Sequence, residues 1–271
     1  MKRFFAIILL LLIVGIVIFL LNSLVKGKAQ ATNQKAQSHQ VDLKYNSIND
    51  AYPLLLNNNW QTVHYTGFDL SYNETHEQAN WVIYLLTRQK CSGTYKRKNN
   101  FRTDTNIVSG SATVEDYAGS GFDRGHLAPA ADMKWSSVAM DESFLMSNIS
   151  PQNASFNRGI WKKMEELVRS WTMEHDSIIV VTGPVFKDNL PAIGFNQVSI
   201  PEYYYKVLLN ISYNNYKAIA FLIPQNATQN PLSSFTLSID KLEAYTGINF
   251  FYKLNPEIMN PLEQKCEFFQ W

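Results

Sequence analysis

"GFDRGHLAPAADM", residues 121–133, places Asp123, Arg124 and His126 side by side with only Gly125 as a spacer, and a proline and small residues follow at once. Ion-pair decoration of a surface has no need of the histidine, and a buried core avoids the arginine. Histidine is the side chain best suited to take a proton from water near neutral pH. An arginine beside it can hold a phosphate and neutralise charge growing on it.

Some thirty residues downstream the chain carries its longest helical signal, "NRGIWKKMEELVRSWTM", 157–173. Ile160, Trp161, Met164, Leu167, Val168 and Trp171 recur at spacings of three and four, which gives one apolar stripe. Asn157 stands where an asparagine can cap the helix. Asn157, Trp161, Glu165 and Arg169 are each four apart, drifting only ~40° per step around an α-helix. Asn157 and Glu165 are then ~12 Å apart along the axis, too far for both to ligate one small ion directly. A carboxamide and a carboxylate so placed suit a hard divalent cation that keeps most of its water. Histidine, arginine and such a cation together describe metal-assisted hydrolysis of a phosphodiester.

The surrounding pattern is that of a sheet. "TVHYTGFDLSYN" (62–73) and "ANWVIYLLT" (79–87) read as two strands joined by a polar turn. "DSIIVVTGPVF" (176–186) reads as a buried strand stopped by Gly183-Pro184. "YYYKVLLNISYNNYKAIAFLIP" (203–224) reads as a hairpin turning at Asn214-Asn215. "SIDKLEAYTGI" (238–248) reads as a short helix with Ile239 and Leu242 on one face and Gly247 as its C-terminal cap.

The chain opens with Met1-Lys2-Arg3 and then eighteen residues, Phe4–Leu21, without one polar side chain. At ~1.5 Å per residue this run nearly spans a ~30 Å hydrocarbon core. It reads as a signal-anchor within residues 1–25 or as the core of a long signal peptide. "AQA" at 29–31 could be cleaved, giving a secreted form, but Lys26 and Lys28 intervene, which favours the uncleaved anchor. The short basic end of such an anchor normally stays inside, leaving the rest outside the cytoplasm, periplasmic or extracellular. Residues 26–45 are polar and read as a flexible stalk, and 46–271 as one α+β domain. Lys+Arg number 24 and Asp+Glu 23, a net charge of +1, which neither requires nor excludes a polyanionic partner. Locally, Lys90, Lys96, Arg97, Lys98 and Arg102 form the one dense basic cluster. Cys91 and Cys266 could form one disulfide in an exported domain or remain two buried thiols.

"DRGH" at 123–126 followed by "SNISPQNASFNRGIWKKMEE" at 147–166 resembles the DNA/RNA non-specific endonuclease family, which includes secreted bacterial nucleases and mitochondrial endonuclease G. "GFDRGHLAPAADM", "FLMSNISPQ", "FNRGIWKKMEE", "VVTGPVF", "YYYKVLL", "AFLIP" and "LEAYTGINFF" fall in the family's order, so the resemblance covers about residues 60–255. It implies a ββα-metal fold with a central, mostly antiparallel sheet flanked by helices, here preceded by one N-terminal transmembrane helix. It implies cleavage of DNA and RNA to 5′-phosphate products with Mg²⁺, or with Mn²⁺ or another divalent cation in its place. It implies His126 as general base, Asn157 as the direct metal ligand and Glu165 as holder of the cation's water shell. It further implies Asn148 as a residue that orients the site and Arg124 and Arg169 as arginines near the scissile phosphate. Asp123 is expected to brace the loop. Arg97 is the nearest arginine for a substrate-binding position upstream of "FRTD" (101–104), although its spacing does not align cleanly.

Plainer readings compete. His39, His64, His76 and His175 are expected to be ordinary polar residues, and Trp161 and Trp171 core rather than base-stacking platforms. A membrane-anchored, non-catalytic nucleic-acid-binding or uptake protein on the same fold is the rival, though His126, Asn157 and Glu165 are all present. The sequence leaves oligomeric state open, with a homodimer one option.

Overall fold

The computed structural model describes residues 42–55, 60–212, 215–226 and 230–271, together with Ser23. The expected membrane helix over Phe4–Leu21 and most of the stalk lie outside the described residues. Among those described, no helix is long and apolar enough to cross a membrane. Leu43 is 1% exposed, and its carbonyl accepts from the Asn255 N–H at 3.1 Å, so the folded unit begins there rather than at 46.

A seven-stranded, wholly antiparallel sheet forms the centre. Its strands are β1 (Gln61–His64), β2 (Asp69–Asn73), β3 (Gln78–Thr87), β6 (Ser177–Pro184), β7 (Tyr203–Asn210), β8 (Lys217–Pro224) and β9 (Thr236–Leu237). The order is β9-β8-β7-β6-β3-β2-β1. The single strand expected over 62–73 is two. Tyr65 N–H donates to Phe68 O at 2.9 Å and closes a turn at Thr66-Gly67. A Cβ on Gly67 would lie 2.4 Å from Met133 Sδ, so the turn needs glycine for close approach. The hairpin at 203–224 forms as expected; Asn214 of its turn is outside the described residues.

Helices cover both faces, which is why the central strands read as continuous apolar runs rather than alternations. Helix α1 (Lys162–His175) and the residues just before it bury Ile160, Trp161, Met164, Val168 and Trp171 against one face, on Tyr84, Val180, Tyr204, Leu208 and Phe221. At roughly 1.5–3 kcal/mol for each large apolar side chain buried, that stripe fixes the helix far more firmly than propensity does. The opposite face packs Ile83, Ile179, Val181 and Val207 beneath α2 (Ile239–Thr246) and α3 (Pro256–Glu263). Ser238 Oγ caps α2 by accepting from Lys241 N–H at 3.3 Å, and Gly247 ends it at φ 70°.

Two short strands stand apart from the sheet: β4 (Asp123–His126) and β5 (Ile149–Gln152), paired antiparallel with Asp123 opposite Gln152 and His126 opposite Ile149. They lead into α1 through a wide π-helical turn, Phe156–Trp161, in which Gly159 has φ −104° and ψ −105°. This ββα unit carries the candidate site. The α+β class and the mostly antiparallel sheet flanked by helices are as read from the sequence.

Candidate active site

Gly125 is the spacer in Asp-Arg-Gly-His because of what crosses it. A Cβ there would lie 2.2 Å from the Gln152 side chain, which is fully buried on the paired strand. With β4 pressed against β5 in this way, Arg124 and His126 fall two residues apart and share one side of the strand.

His126 is 7% exposed, and its Nε2 is buried without a hydrogen-bond partner. Phe144 meets the imidazole edge-on at a centroid distance of 4.9 Å, and Phe101 lies tilted against it at 5.4 Å. The same two rings seat two arginines. The Arg124 guanidinium lies 4.4 Å over Phe101, and that of Arg97 5.0 Å over Phe144. Burial pushes the His126 pKa down to about 3, and the positive charge of Arg97 adds to the effect. The imidazole is therefore neutral at physiological pH, with a lone pair to offer.

Asn148 is fully buried and does not line the cleft. Its Oδ1 accepts from Ala128 N–H at 2.9 Å, and its Nδ2 donates to Ala128 O at 3.0 Å and to Ser143 O at 2.9 Å. These bonds pin the chain immediately after His126, so the side chain acts on the backbone that aims the histidine.

Asn157 is not the helix cap that its position suggests. Helical residues begin at Ala154, and the Asn157 N–H donates to Asn153 O at 2.9 Å. Its side chain turns instead to β4, where Nδ2 donates to Asp123 Oδ2 at 3.0 Å. Asp123 also accepts from Arg158 Nε at 2.8 Å and Nη2 at 2.6 Å, which ties β4 to the turn before α1 and holds its carboxyl below the usual range against the penalty of burial. With Nδ2 spent on Asp123, the amide keeps Oδ1 as its acceptor.

Glu165 and Arg169 follow on α1. Arg169 donates to Asp132 Oδ1 at 2.7 Å, and Asp132, with its side chain wholly inaccessible, also accepts from Tyr84 OH at 2.8 Å. Burial raises the Glu165 pKa, while Lys206, Arg169 and Arg97 pull it down and Asp132 pushes it up. The wide turn before α1 alters the phase assumed for a straight helix: Trp161 drops into the core at 0% exposure while Asn157, Glu165 and Arg169 face one space.

That space is a cleft of about 380 Å³ that brings together Arg97, Arg124, His126, Asn157, Glu165 and Arg169, with Arg158, Lys162 and the Pro129–Ala131 segment. Five cationic side chains face it against one carboxylate. Arg158 and Arg169 are paired with Asp123 and Asp132 and Lys162 lies 3.7 Å from Glu166, so Arg97 and Arg124 are the cations of this lining without an ion pair among the described residues, placed to draw a phosphate. The basic cluster read from the sequence contributes only Arg97. Lys98 and Arg102 are paired with Asp141 at 3.1 and 2.7 Å, and Lys90 lies over Trp135 at 4.7 Å. His64, His76 and His175 lie elsewhere: His64 on Asp69, His76 stacked on Phe186, His175 against Trp271. Cys91 and Cys266 are free thiols. Asp132, Arg158, Lys162, Phe101 and Phe144 escaped the sequence reading, although Asp132 stands within its opening stretch.

A divalent cation fits this donor set. Among the described residues no three of His, Cys, Asp and Glu cluster into a protein cage. One amide oxygen and one carboxylate in a wet cleft suit an ion that retains several waters.

The chain belongs to the DNA/RNA non-specific endonuclease family, whose model matches residues 47–257. It is 36% identical over 216 residues to the mouse protein "Nuclease EXOG, mitochondrial", covering 72% of this chain and 58% of that one. To "Nuclease C1" of Cunninghamella echinulata var. echinulata it is 35% identical over 210 residues, covering 71% and 83%. Human "Endonuclease G, mitochondrial" is 34% identical over 196 residues, covering 67% and 66%. Among solved structures, a chain of an EndoG/EndoGI complex superposes with a TM-score of 0.68 at 28% identity, over 72% of this chain and 87% of that one. The chain thus spans somewhat under two thirds of the length of the mouse relative.

Proposed function

We propose that the protein is a metal-dependent endonuclease that hydrolyses phosphodiester bonds of DNA and RNA to 5′-phosphate products. The observation that carries this reading is a neutral His126 lining a cleft that it shares with Asn157, Glu165 and five cationic side chains. His126 takes the proton of a water as it attacks phosphorus in line. Arg124, Arg169 and Arg97 hold the phosphate and its neighbours and balance charge as it develops. Asn157 Oδ1 would ligate the cation directly and Glu165 would hold its water shell. Mg²⁺ bound there, or Mn²⁺ in its place, would neutralise charge on the phosphate and the leaving 3′ oxygen. Contacts limited to phosphate and sugar give little base preference. The non-catalytic binding protein is the weaker reading, because it gives the desolvated base and its aromatic cradle no purpose.

The test is degradation of supercoiled plasmid and of RNA with Mg²⁺ or with EDTA, beside His126→Ala. Cleavage of both with Mg²⁺ only, lost in the variant, supports the reading; a protein that shifts plasmid in a gel yet never cuts it under any divalent metal refutes it. For location, the apolar run Phe4–Leu21 supports a membrane anchor with the nuclease outside the cytoplasm, where an unselective enzyme spares the genome. Resistance of the folded domain to protease added to spheroplasts would exclude that orientation.

A further inference from the structure

Lys206 is an ammonium in the wrong place for an ordinary lysine. It sits on β7 in the middle of the sheet, opposite Thr182 on β6 and Phe221 on β8, and is 0% exposed. Its Nζ has no hydrogen-bond partner. It lies 4.7 Å over the ring of Trp161, which is stacked in turn on Phe156 at 5.3 Å. A buried charge is costly unless an opposite charge answers it. Of the two carboxylates that act on Lys206, Asp132 is already engaged by Arg169 and Tyr84. Glu165 has no salt bridge of its own among the described residues, and it faces the cleft. Around Glu165 three positive charges, Lys206, Arg169 and Arg97, stand against two negative ones, Glu165 itself and Asp132, and of the three Lys206 is the one wholly buried. Trp161 stands four residues after Asn157 and four before Glu165, so whatever holds its ring also holds the turn joining them.

We propose that Lys206 is a positioning residue of the cleft: its buried ammonium, clamped on the face of Trp161, holds the turn that joins Asn157 to Glu165 and supplies one buried counter-charge to that carboxylate. The inference rests on the metal-dependent nuclease reading. It gives the lysine a task that packing alone does not, since methionine would fill nearly the same space without the desolvation cost.

The experiment compares the full chain with Lys206→Met, Glu165→Gln and the double variant, by chemical unfolding, by calorimetric Mn²⁺ binding without substrate, and by kcat and KM on plasmid. Lys206→Met is expected to fold, to lower kcat about 10–100-fold with KM changed far less, and to weaken Mn²⁺ binding at least about threefold. In the Glu165→Gln background the same change should cost less than about twofold, because the partner through which it acts is gone. Wild-type cleavage and Mn²⁺ affinity in Lys206→Met, tighter Mn²⁺ binding, or equal losses in both backgrounds would each overturn the proposal. Should Lys206→Met fail to fold, lysine ¹³Cε spectra of Glu165→Gln decide. The Lys206 signal should then titrate at lower pH than in wild type, and an unchanged signal overturns the proposal. A wild-type chain that cuts with no divalent metal sinks the nuclease reading and this inference with it, whereas a cutting wild type with an indifferent Lys206→Met sinks only the latter.

Discussion

Replacing Asn148 by alanine separates a residue that aims the site from one that touches substrate. The side chain is fully buried and makes three hydrogen bonds, all to backbone: one accepted from Ala128 N–H and two donated to the carbonyls of Ala128 and Ser143. Alanine leaves the N–H unsatisfied, at about 1–3 kcal/mol, and removes one bond from each carbonyl at about 0.5–1.5 kcal/mol apiece. The sum is a loss of about 2–6 kcal/mol, a large fraction of the roughly 5–15 kcal/mol that stabilises a domain. The backbone bond from Leu127 N–H to Asn148 O survives the change, so β4 stays paired while the segment after His126 loosens. A displacement of ~1 Å at a catalytic group can cost on the order of 100-fold in rate. Asn148→Asp should be no milder, because it sets a carboxylate oxygen against the two carbonyls. Urea unfolding in EDTA reads the stability, and plasmid nicking with Mg²⁺ reads the rate. A variant whose unfolding free energy stays within about 0.5 kcal/mol of wild type while its rate collapses would refute the reasoning and move Asn148 into direct contact with the reacting groups.

Further outcomes follow from other parts of the site. Gly125→Ala drives a Cβ to 2.2 Å from Gln152, so it should cost about 1–3 kcal/mol in unfolding experiments, and a second change, Gln152→Ala, should restore part of that loss. His126 is neutral in the folded chain with its pKa near 3, whereas the unfolded chain takes that proton near 6.5. The unfolded state therefore binds the extra proton between those values, and stability should fall as pH drops from about 6.5 towards 3, by up to about 1.4 kcal/mol per pH unit. Thermal unfolding in EDTA at stepped pH should show a shallower acid slope in His126→Asn; identical slopes would place the imidazole in water. Arg169→Met leaves Asp132, whose side chain is 0% exposed, with Tyr84 alone, and should destabilise by about 3 kcal/mol as well as weaken substrate binding; a change in KM without a change in stability would contradict the pairing described.

What the sequence disclosed follows from how local each cause is. The stripe Ile160 to Trp171 and the Gly247 cap express themselves within a few residues and form where expected, while the strand read as stopped by Gly183-Pro184 runs through both and ends at Pro184. The histidine with its arginine was legible because both sit on one four-residue strand. Distant or conformational causes were hidden. Nothing in the spacing of "FNRGIW" announces the π-helical turn that moves Asn157 away from a capping position. Asp141 neutralises Lys98 and Arg102 from some forty residues away, which dissolves a basic cluster that looked dense in one dimension. The turn at Thr66-Gly67 has room for glycine alone because Met133 and Ala139 pack against it, a contact no local pattern reveals. Lys206 reads as one polar residue in an apolar strand until Trp161 is seen beneath it.

The cleft is also a matter of timing. It takes Arg97 and Phe101 from a loop beyond β3, His126 from β4, and Glu165 and Arg169 from α1, and α1 rests on a sheet whose middle pairs β3 with β6 across about a hundred residues. The whole set lies within residues 97–169, but the sheet that seats it is completed only by strands further along the chain, β6, β7 and β8. On the nuclease reading proposed above, the cleft is therefore assembled only when those later strands have joined.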